Sequence, residues 1–562
     1  MKRIVPILCM VGLVLLSVSA ALAQQGAQPV VRMGNWIEVG NELFMHVIGN
    51  LDINYRTTQN YDFESRIRDR VNSRAITSST NNEGSSDSHW AEVRLGADFR
   101  YQKSLLAQVL LEQQITMDGS TVDAGNLNAN NPGGTDIFGR GTTTENAVVH
   151  VERYWIDYKF QGTPLRMRVG SDLWRLDQAA LVNDDDPRFA VFADFGNIDL
   201  MAAAVIETES QRIGLTNDND LVYYTFSGGA NFKPHRVQFD IVYTRDRFSG
   251  ADVQGTGAGG FRGQKLDAVN LSGSWTGALG PVKGLVQGMV AAGTARGGTG
   301  LALPAGVQPG RDYDVLAFGA VAQVELDLGI VKPFVGLLFA SGDGDPNDNE
   351  LKGFNHLGFR SSGTGTTGLG AFQALEVSPA AGGHRDYFCP GGGPSAASVR
   401  PGGGNTAIGN AVFSGVTECG HTIDNVWNDR IGGMSHPGIS TVYSNPGGLL
   451  IPVGLSIYPL KGHIIRGYYL YKQFVSTALL EAAYNLPRGS IDKTQVHEIG
   501  GAWYWTLNPH FDIRLSGSVG FAGEGYKDLA RLADCNATTA GVQPCEGDDV
   551  ALQGHARFRA RF

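Results

Sequence analysis

Apart from one short run near its start, the sequence has no stretch approaching the roughly 20 consecutive apolar residues that a membrane-spanning helix requires. Helical spans are therefore excluded. Basic residues are also in deficit: 45 Lys and Arg stand against 55 Asp and Glu, for a formal charge of −10. An acidic balance of this kind argues against nucleic acid as a partner. Cysteine is scarce, with 5 in 562 residues, and none opens a C-x-x-C-H pattern, so no haem conduit is expected. No G-x-S-x-G elbow occurs and no Ser/His/Asp set is fixed by spacing, so the chain does not read as an enzyme. Helical i, i+3, i+4 periodicity is missing too. Apolar residues recur instead in short alternating runs, the pattern of strands.

The one apolar run, Ile4 to Val18, follows Lys2 and Arg3 and precedes a small-x-small site at Ala21-Leu22-Ala23. Residues 1–23 are thus expected to be a secretory signal peptide. Removing Lys2 and Arg3 with it takes the formal charge from −10 to −12. Export also places the remaining cysteines, Cys389, Cys419, Cys535 and Cys545, in an oxidising compartment. Residues 24–40 read as a short periplasmic lead segment, and 41–562 as the folded body.

Side chains alternate across a strand with period 2. Met45, Val47, Gly49, Leu51, Ile53 and Tyr55 alternate with His46, Ile48, Asn50, Asp52, Asn54 and Arg56. The same pattern returns at 91–101, 105–112, 154–160, 165–169, 222–232 and 511–521. At the end of the chain, Leu552, Gly554, Ala556, Phe558, Ala560 and Phe562 oppose Gln553, His555, Arg557, Arg559 and Arg561. Tight turns are expected near 102–104, 161–164, 196–197, 233–235, 277–281, 327–329, 461–463 and 507–509. Long connections fall at about 57–88, 116–146, 175–187, 208–220, 247–265, 294–311, 342–448, 476–494 and 522–550. A few runs alternate poorly, notably those at 188–195, 330–341 and 464–475.

Eighteen strands joined alternately by short turns and long loops make an all-β, transmembrane antiparallel β-barrel of about 18 strands, with short periplasmic turns and long extracellular loops. Lipid cannot hydrogen-bond a backbone, so the sheet must close, with Met45–Tyr55 against Leu552–Phe562. A barrel of about 18 strands leaves an aqueous lumen. Polar lumen faces fit that expectation, and the lead segment is too short to be a plug. The residues expected to line the pore are Arg94, Arg100, Glu112, Arg153, Asp157, Arg166, Arg168, Arg514, Arg557 and Arg559. Arginines outnumber the acids on these faces, whereas Asp184 to Asp186, Asp218, Asp220, Asp548 and Asp549 fall in the loops. A basic wall behind acidic loops screens solutes by charge, with a preference for anions.

The final strand, ending on Phe562, resembles the C-terminal strand of bacterial outer-membrane β-barrels. That likeness implies that Phe562 is the assembly signal read by the β-barrel assembly machinery. The passage from Ser341-Gly342-Asp343-Gly344-Asp345 to Phe354-Asn355 resembles one in the alginate-export and related eighteen-stranded porin families. A second passage, from Arg168 through Trp174 and Asp184-Asp185-Asp186 to Phe195, is similar to lumen-lining segments in porins of sulfate-reducing and related bacteria. These resemblances imply a Gram-negative outer-membrane porin in contact with lipid, usually a homotrimer, passing small hydrophilic solutes. The alternative that they imply is a dedicated exporter of an anionic polysaccharide.

Within the loop at 342–448, Asp343, Asp345, Asn347 and Asn349 offer the alternate-position oxygens of a calcium loop. Phe354 stands where the bidentate Glu would be, so a solvated acidic turn without cofactor is the first expectation and loop calcium the second. The cysteines divide into Cys389 and Cys419 in that loop, and Cys535 and Cys545 in the last one. Zinc binding with His384 and His421 is the weaker reading, because no tight C-x-x-C spacing is present. Non-reducing peptide mapping of the exported protein should therefore recover Cys389–Cys419 and Cys535–Cys545 bridges. Four free thiols, or a cross-pair between the two loops, would overturn the assignment.

Overall fold

The structure, a computed structural model, describes residues 36–40, 42–59, 86–116, 150–176, 182–208, 221–246, 265–296, 311–345, 348–354, 357–359, 447–478, 481, 486–525, 527–528 and 550–561. The signal peptide, Asn347, the four loop cysteines and Phe562 lie outside these residues. A short β1 (Ile37–Gly40) leads into β2 (Leu43–Gln59), β3 (Ser86–Tyr101), β4 (Leu105–Thr116), β5 (His150–Lys159), β6 (Leu165–Leu176) and β7 (Val182–Asp194). Next come β8 (Ile198–Thr208), β9 (Leu221–Phe232), β10 (His235–Asp246), β11 (Lys265–Leu279), β12 (Val282–Arg296), β13 (Asp312–Leu326) and β14 (Val331–Ala340). Two fragments, β15 (Glu350–Leu351) and β16 (Leu357–Phe359), precede β17 (Gly448–Ile457), β18 (His463–Phe474), β19 (Thr494–Asn508), β20 (Phe511–Ala522) and β21 (Val550–Arg561).

All of these except β1, β15 and β16 form one closed antiparallel barrel of 18 strands. Each pairs with the next in sequence, β14 passes to β17, and β21 returns to β2. The tight turns all fall at one end and the long connections at the other, as the alternation of the sequence requires. The poorly alternating runs are β7, β14 and β18, full members of the ring. Their weak pattern has a cause that β14 makes plain. Phe334 and Leu338 point inward and are buried, while Val335 points outward, so both faces are apolar.

Strands of the ring run from 10 to 17 residues, and most exceed the roughly 9–11 that cross a bilayer. The surplus projects beyond the membrane, where charged residues cost little. This corrects one expectation. The acids Asp184 to Asp186 lie not in a loop but in β7, which pairs with β6 up to Leu176↔Val182.

Outward residues are exposed and apolar, among them Val47, Leu95, Ile156, Phe318, Ile499 and Phe558. Inward residues are buried and largely polar, including His46, Asp98, Gln108, Asp157, Asp240 and Glu498. Such an inversion is stable only where the surrounding solvent is itself apolar, so the barrel is a transmembrane one.

The seam joins Asn50–Gln59 of β2 to Leu552–Arg561 of β21, with Ile53 opposite Phe558. Closure was expected from Met45 onward, but β21 ends at Asn50, and β1 pairs with Leu43 to Met45 instead. Asp52 staples the seam. Its carboxylate accepts two hydrogen bonds from Arg557, both at 3.0 Å, and a third from Arg559 at 2.7 Å. Beside it, His555 Nε2 lies 3.2 Å from Asn54 Oδ1. Asp52 is 4 % exposed, so removing it strands two guanidinium groups in a poorly hydrated place. Asp52→Ala should therefore destabilise the barrel by about 3 kcal/mol, seen as a lower temperature for loss of the SDS-resistant band on gels. An unchanged transition would show that the seam is held by its backbone ladder alone.

Candidate functional site

Because β5 and β6 pair with Asp157 opposite Arg168 and Lys159 opposite Arg166, their inward side chains stand in one column. Asp157 Oδ2 accepts hydrogen bonds from Arg166 Nη1 at 2.6 Å and from Arg168 Nε at 2.9 Å. Arg168 also donates through Nη1 to Asp172, which accepts a further bond from Arg188 Nη2 at 3.1 Å. Each of these two acids is thus shared by two arginines. Asp157 and Asp172 are 2 % and 1 % exposed, depths at which a carboxylate needs such pairing.

Arg168 and Asp172 are four residues apart on one strand, a separation of about 13 Å in a straight one. The long Arg168 side chain reaches along the strand to span it, past Gly170. That glycine adopts φ 128°, a conformation that side chains resist. Any Cβ there would lie 2.1 Å from the Tyr154 carbonyl oxygen. Glycine therefore allows β6 to lie this close to β5.

Aromatic rings hold the guanidinium planes. Arg166 lies 4.0 Å over Phe192 and Arg168 lies 4.1 Å over Trp155, contacts worth up to about 2 kcal/mol when desolvated. Trp155 Nε1 donates to Gln108 Oε1 at 3.1 Å, and Gln108 Nε2 donates to Asp98 Oδ1 at 2.7 Å. One polar belt thus runs from β3 to β7. Arg153 faces inward one step beyond Trp155 on the same strand, and Arg94 pairs with Glu112 across β3 and β4. Arg100 is stacked on Trp36 at 4.7 Å and Phe44 at 4.8 Å.

The belt continues across the seam through Asp52, Arg557 and Arg559, and Arg561 pairs with Asp512. Arg514 stands opposite Arg557 in the ladder and is 7 % exposed. Further round, Tyr468 donates to Glu498 at 2.6 Å, and Arg466 Nε donates to Ser456 Oγ at 3.1 Å. The opposite arc is different. The inward faces of β12, β13 and β14 carry Leu285, Met289, Ala291, Val315, Ala317 and Leu338, all buried.

All ten residues expected on the pore wall therefore have a described place on the inward faces. The expectation that arginines outnumber inward acids missed Asp172 altogether and left Asp52 outside the count. Asp172 was legible in one respect, since an even spacing from Arg168 puts both on one face. Its partner Arg188 was not, because that contact depends on register.

Two of the four residues considered for calcium, Asp343 and Asp345, have side-chain contacts within the chain, as does Asp348 beside them. Asp343 Oδ1 accepts the Asp345 N–H at 3.1 Å, Asp345 pairs with Arg488 at 3.2 Å, and Asp348 pairs with Lys352 at 2.8 Å. Burial pushes the Asp343 carboxyl up to about 7. Among the described residues no group of three or more His, Cys, Asp or Glu converges on a common point.

No family model matches the chain, and none of the curated proteins is similar to it. Among solved structures it is similar to OccK2 (OpdF) of Pseudomonas aeruginosa in complex with glucuronate, at 10% identity, covering 92% of this chain and 98% of that one, with a TM-score of 0.43. A BenF-like porin from Pseudomonas fluorescens Pf-5 gives the same identity, coverage and TM-score. OmpT of Vibrio cholerae gives 8% identity over 93% of this chain and 98% of that one, with a TM-score of 0.33.

The shared acids make a direct test. Asp157→Asn leaves Arg166 and Arg168 without their common carboxylate, and arginine cannot shed its charge. The unfolding midpoint in urea should drop by an amount equivalent to about 3 kcal/mol. A midpoint equal to that of the wild type would mean that solvent already neutralises this column.

Proposed function

We propose that the chain is an outer-membrane porin of a Gram-negative bacterium, a water-filled channel for passive diffusion of small hydrophilic solutes, with a preference for anions. One observation carries the reading: a closed barrel of 18 strands is apolar outside and lined inside by charged residues. Eighteen strands enclose more space than wall side chains fill. The charged lining needs water or a hydrated solute beside it. No catalytic role is proposed.

Anion preference rests on how the acids are shared. Asp52, Asp157 and Asp172 each serve two arginines, so in these pairings Arg166, Arg168, Arg188, Arg557 and Arg559 outnumber the carboxylates that neutralise them. Arg100 is held by aromatic rings and adds to the excess. Bilayer lipids, the assembly machinery acting on Phe562 and a homotrimeric state belong to the same proposal.

Reversal potentials under a salt gradient test it. The wild type should pass anions in preference to cations, and less so at high salt, where the Debye length falls to about 3 Å at 1 M. Arg100→Gln with Arg166→Gln should shift permeability towards cations without stranding an acid, because Asp157 keeps Arg168. A cation-selective wild type would refute the anion preference, and a barrel that passes no ions would refute the porin.

A further inference from the structure

Three tight turns that follow one another round the ring differ from the others. They join β11 to β12 at Leu279-Gly280-Pro281-Val282, β13 to β14 at Asp327-Leu328-Gly329-Ile330, and β17 to β18 at Tyr458-Pro459-Leu460-Lys461-Gly462. Because β12 pairs with β13 and β14 with β17, no other turn lies between them. Leu279, Leu328, Ile330 and Leu460, between 60 % and 69 % exposed, are the four barest large apolar side chains among the described residues. All four stand on these turns. On the far side of the ring from β13, the turns at Gln102-Lys103-Ser104 and Gln161-Gly162-Thr163-Pro164 carry no such side chain.

Mutual bonds make the three turns one platform. The Pro281 carbonyl accepts the Asp327 N–H at 2.8 Å, and the Ile330 carbonyl accepts the Tyr458 N–H at 2.8 Å. The Asp327 carboxylate accepts hydrogen bonds from Lys283 and Lys332, both at 3.0 Å, and from the Gly329 N–H at 3.1 Å. Lys332 also lies 4.8 Å over the Tyr458 ring. These polar groups engage one another and leave the apolar tips bare.

The lipid-facing wall runs unbroken into the platform. On β13 the outward residues Leu316, Phe318, Ala320, Ala322, Val324 and Leu326 lead to Leu328. At about 3.4 Å per residue and a tilt of about 40°, that run stands on the order of 30 Å tall, against about 25 Å for the apolar band of such barrels. On β4 the outward run from Leu105 through Ala107 and Val109 to Leu111 stops at Gln113. By the same geometry it stands only about 15 Å tall. The band is thus taller beside the platform than opposite it, and the bare tips extend it.

We propose that the three turns are a phospholipid-docking surface: Leu279, Leu328, Ile330 and Leu460 sink into the periplasmic leaflet of the outer membrane, and the barrel stands tilted towards them. Continuity with the lipid-facing wall makes acyl chains the occupant. Lys461, exposed beside Leu460, supplies the positive charge that phosphates attract. Apolar tips beside such a charge have the make-up of interfacial anchors. Lys103 and its neighbours, opposite, stay in water. Docking belongs to the barrel in a membrane and does not depend on its conducting.

The full chain, refolded into phosphatidylcholine vesicles that contain a phospholipid with a diazirine in its acyl chain, is illuminated, and adducts are mapped by mass spectrometry. Yields at the four tips should fall within about three-fold of those at the wall residues Val286 and Val324, and exceed those at 102–104 and 161–164 by about ten-fold. Leu328→Asp with Leu460→Asp should keep a heat-modifiable barrel, because both side chains are bare, and should lower the yield at Leu279 by about three-fold or more. Should that pair fail to fold, the comparison of turns in the wild type still decides. Tips labelled no more than the opposite turns would overturn the proposal. So would weak labelling that rises as the protein is diluted in lipid, the sign of a second copy covering the platform.

Discussion

Everything in this molecule depends on the refusal of lipid to hydrogen-bond a peptide group. A sheet placed in hydrocarbon must leave no free edge, and the ladder from β21 back to β2 is what removes the last one. Closure then sorts the side chains. Every second residue faces lipid and is apolar, and the residues between them face inward and are free to be polar. The charged belt is thus a by-product of the same constraint that fixes the fold.

Freedom to be polar is not freedom from cost. Buried carboxylates and guanidinium groups lose hydration, and each needs a partner to offset that loss. The wall meets the need by sharing. Asp157 lies between two arginines on β6, Asp172 joins β6 to β7, and Asp52 ties β2 to β21. Shared acids bind strands together at the level where they also shape the potential of the lumen.

Much of this was legible in the sequence because period 2 between two unlike solvents leaves a strong trace. The strand faces, the tight turns and the pairing of the first long strand with the last could be read from it, but not the register that sets Ile53 opposite Phe558. What escaped reading depends on register or on brevity. Arg188 meets Asp172 only in one alignment of β6 with β7, and a slip of two residues would give either a different partner. β15 and β16 are two and three residues long, too short to show any period. The run at Asp184 to Asp186 looked like a loop because three acids precede Pro187, yet it lies in an extended hairpin beyond the lipid. On β14 the alternation faded because its inner face belongs to the apolar arc.

That arc has a further effect. Water is held by the charged strands, β2 to β7 and β18 to β21, and is held less well by the faces of β12 to β14, whose buried residues are apolar apart from Gln287, Gln323 and Glu325. The wetted cross-section is therefore a crescent rather than a disc. In the channel proposed above, a hydrated solute would meet the width of that crescent and not the diameter of the barrel.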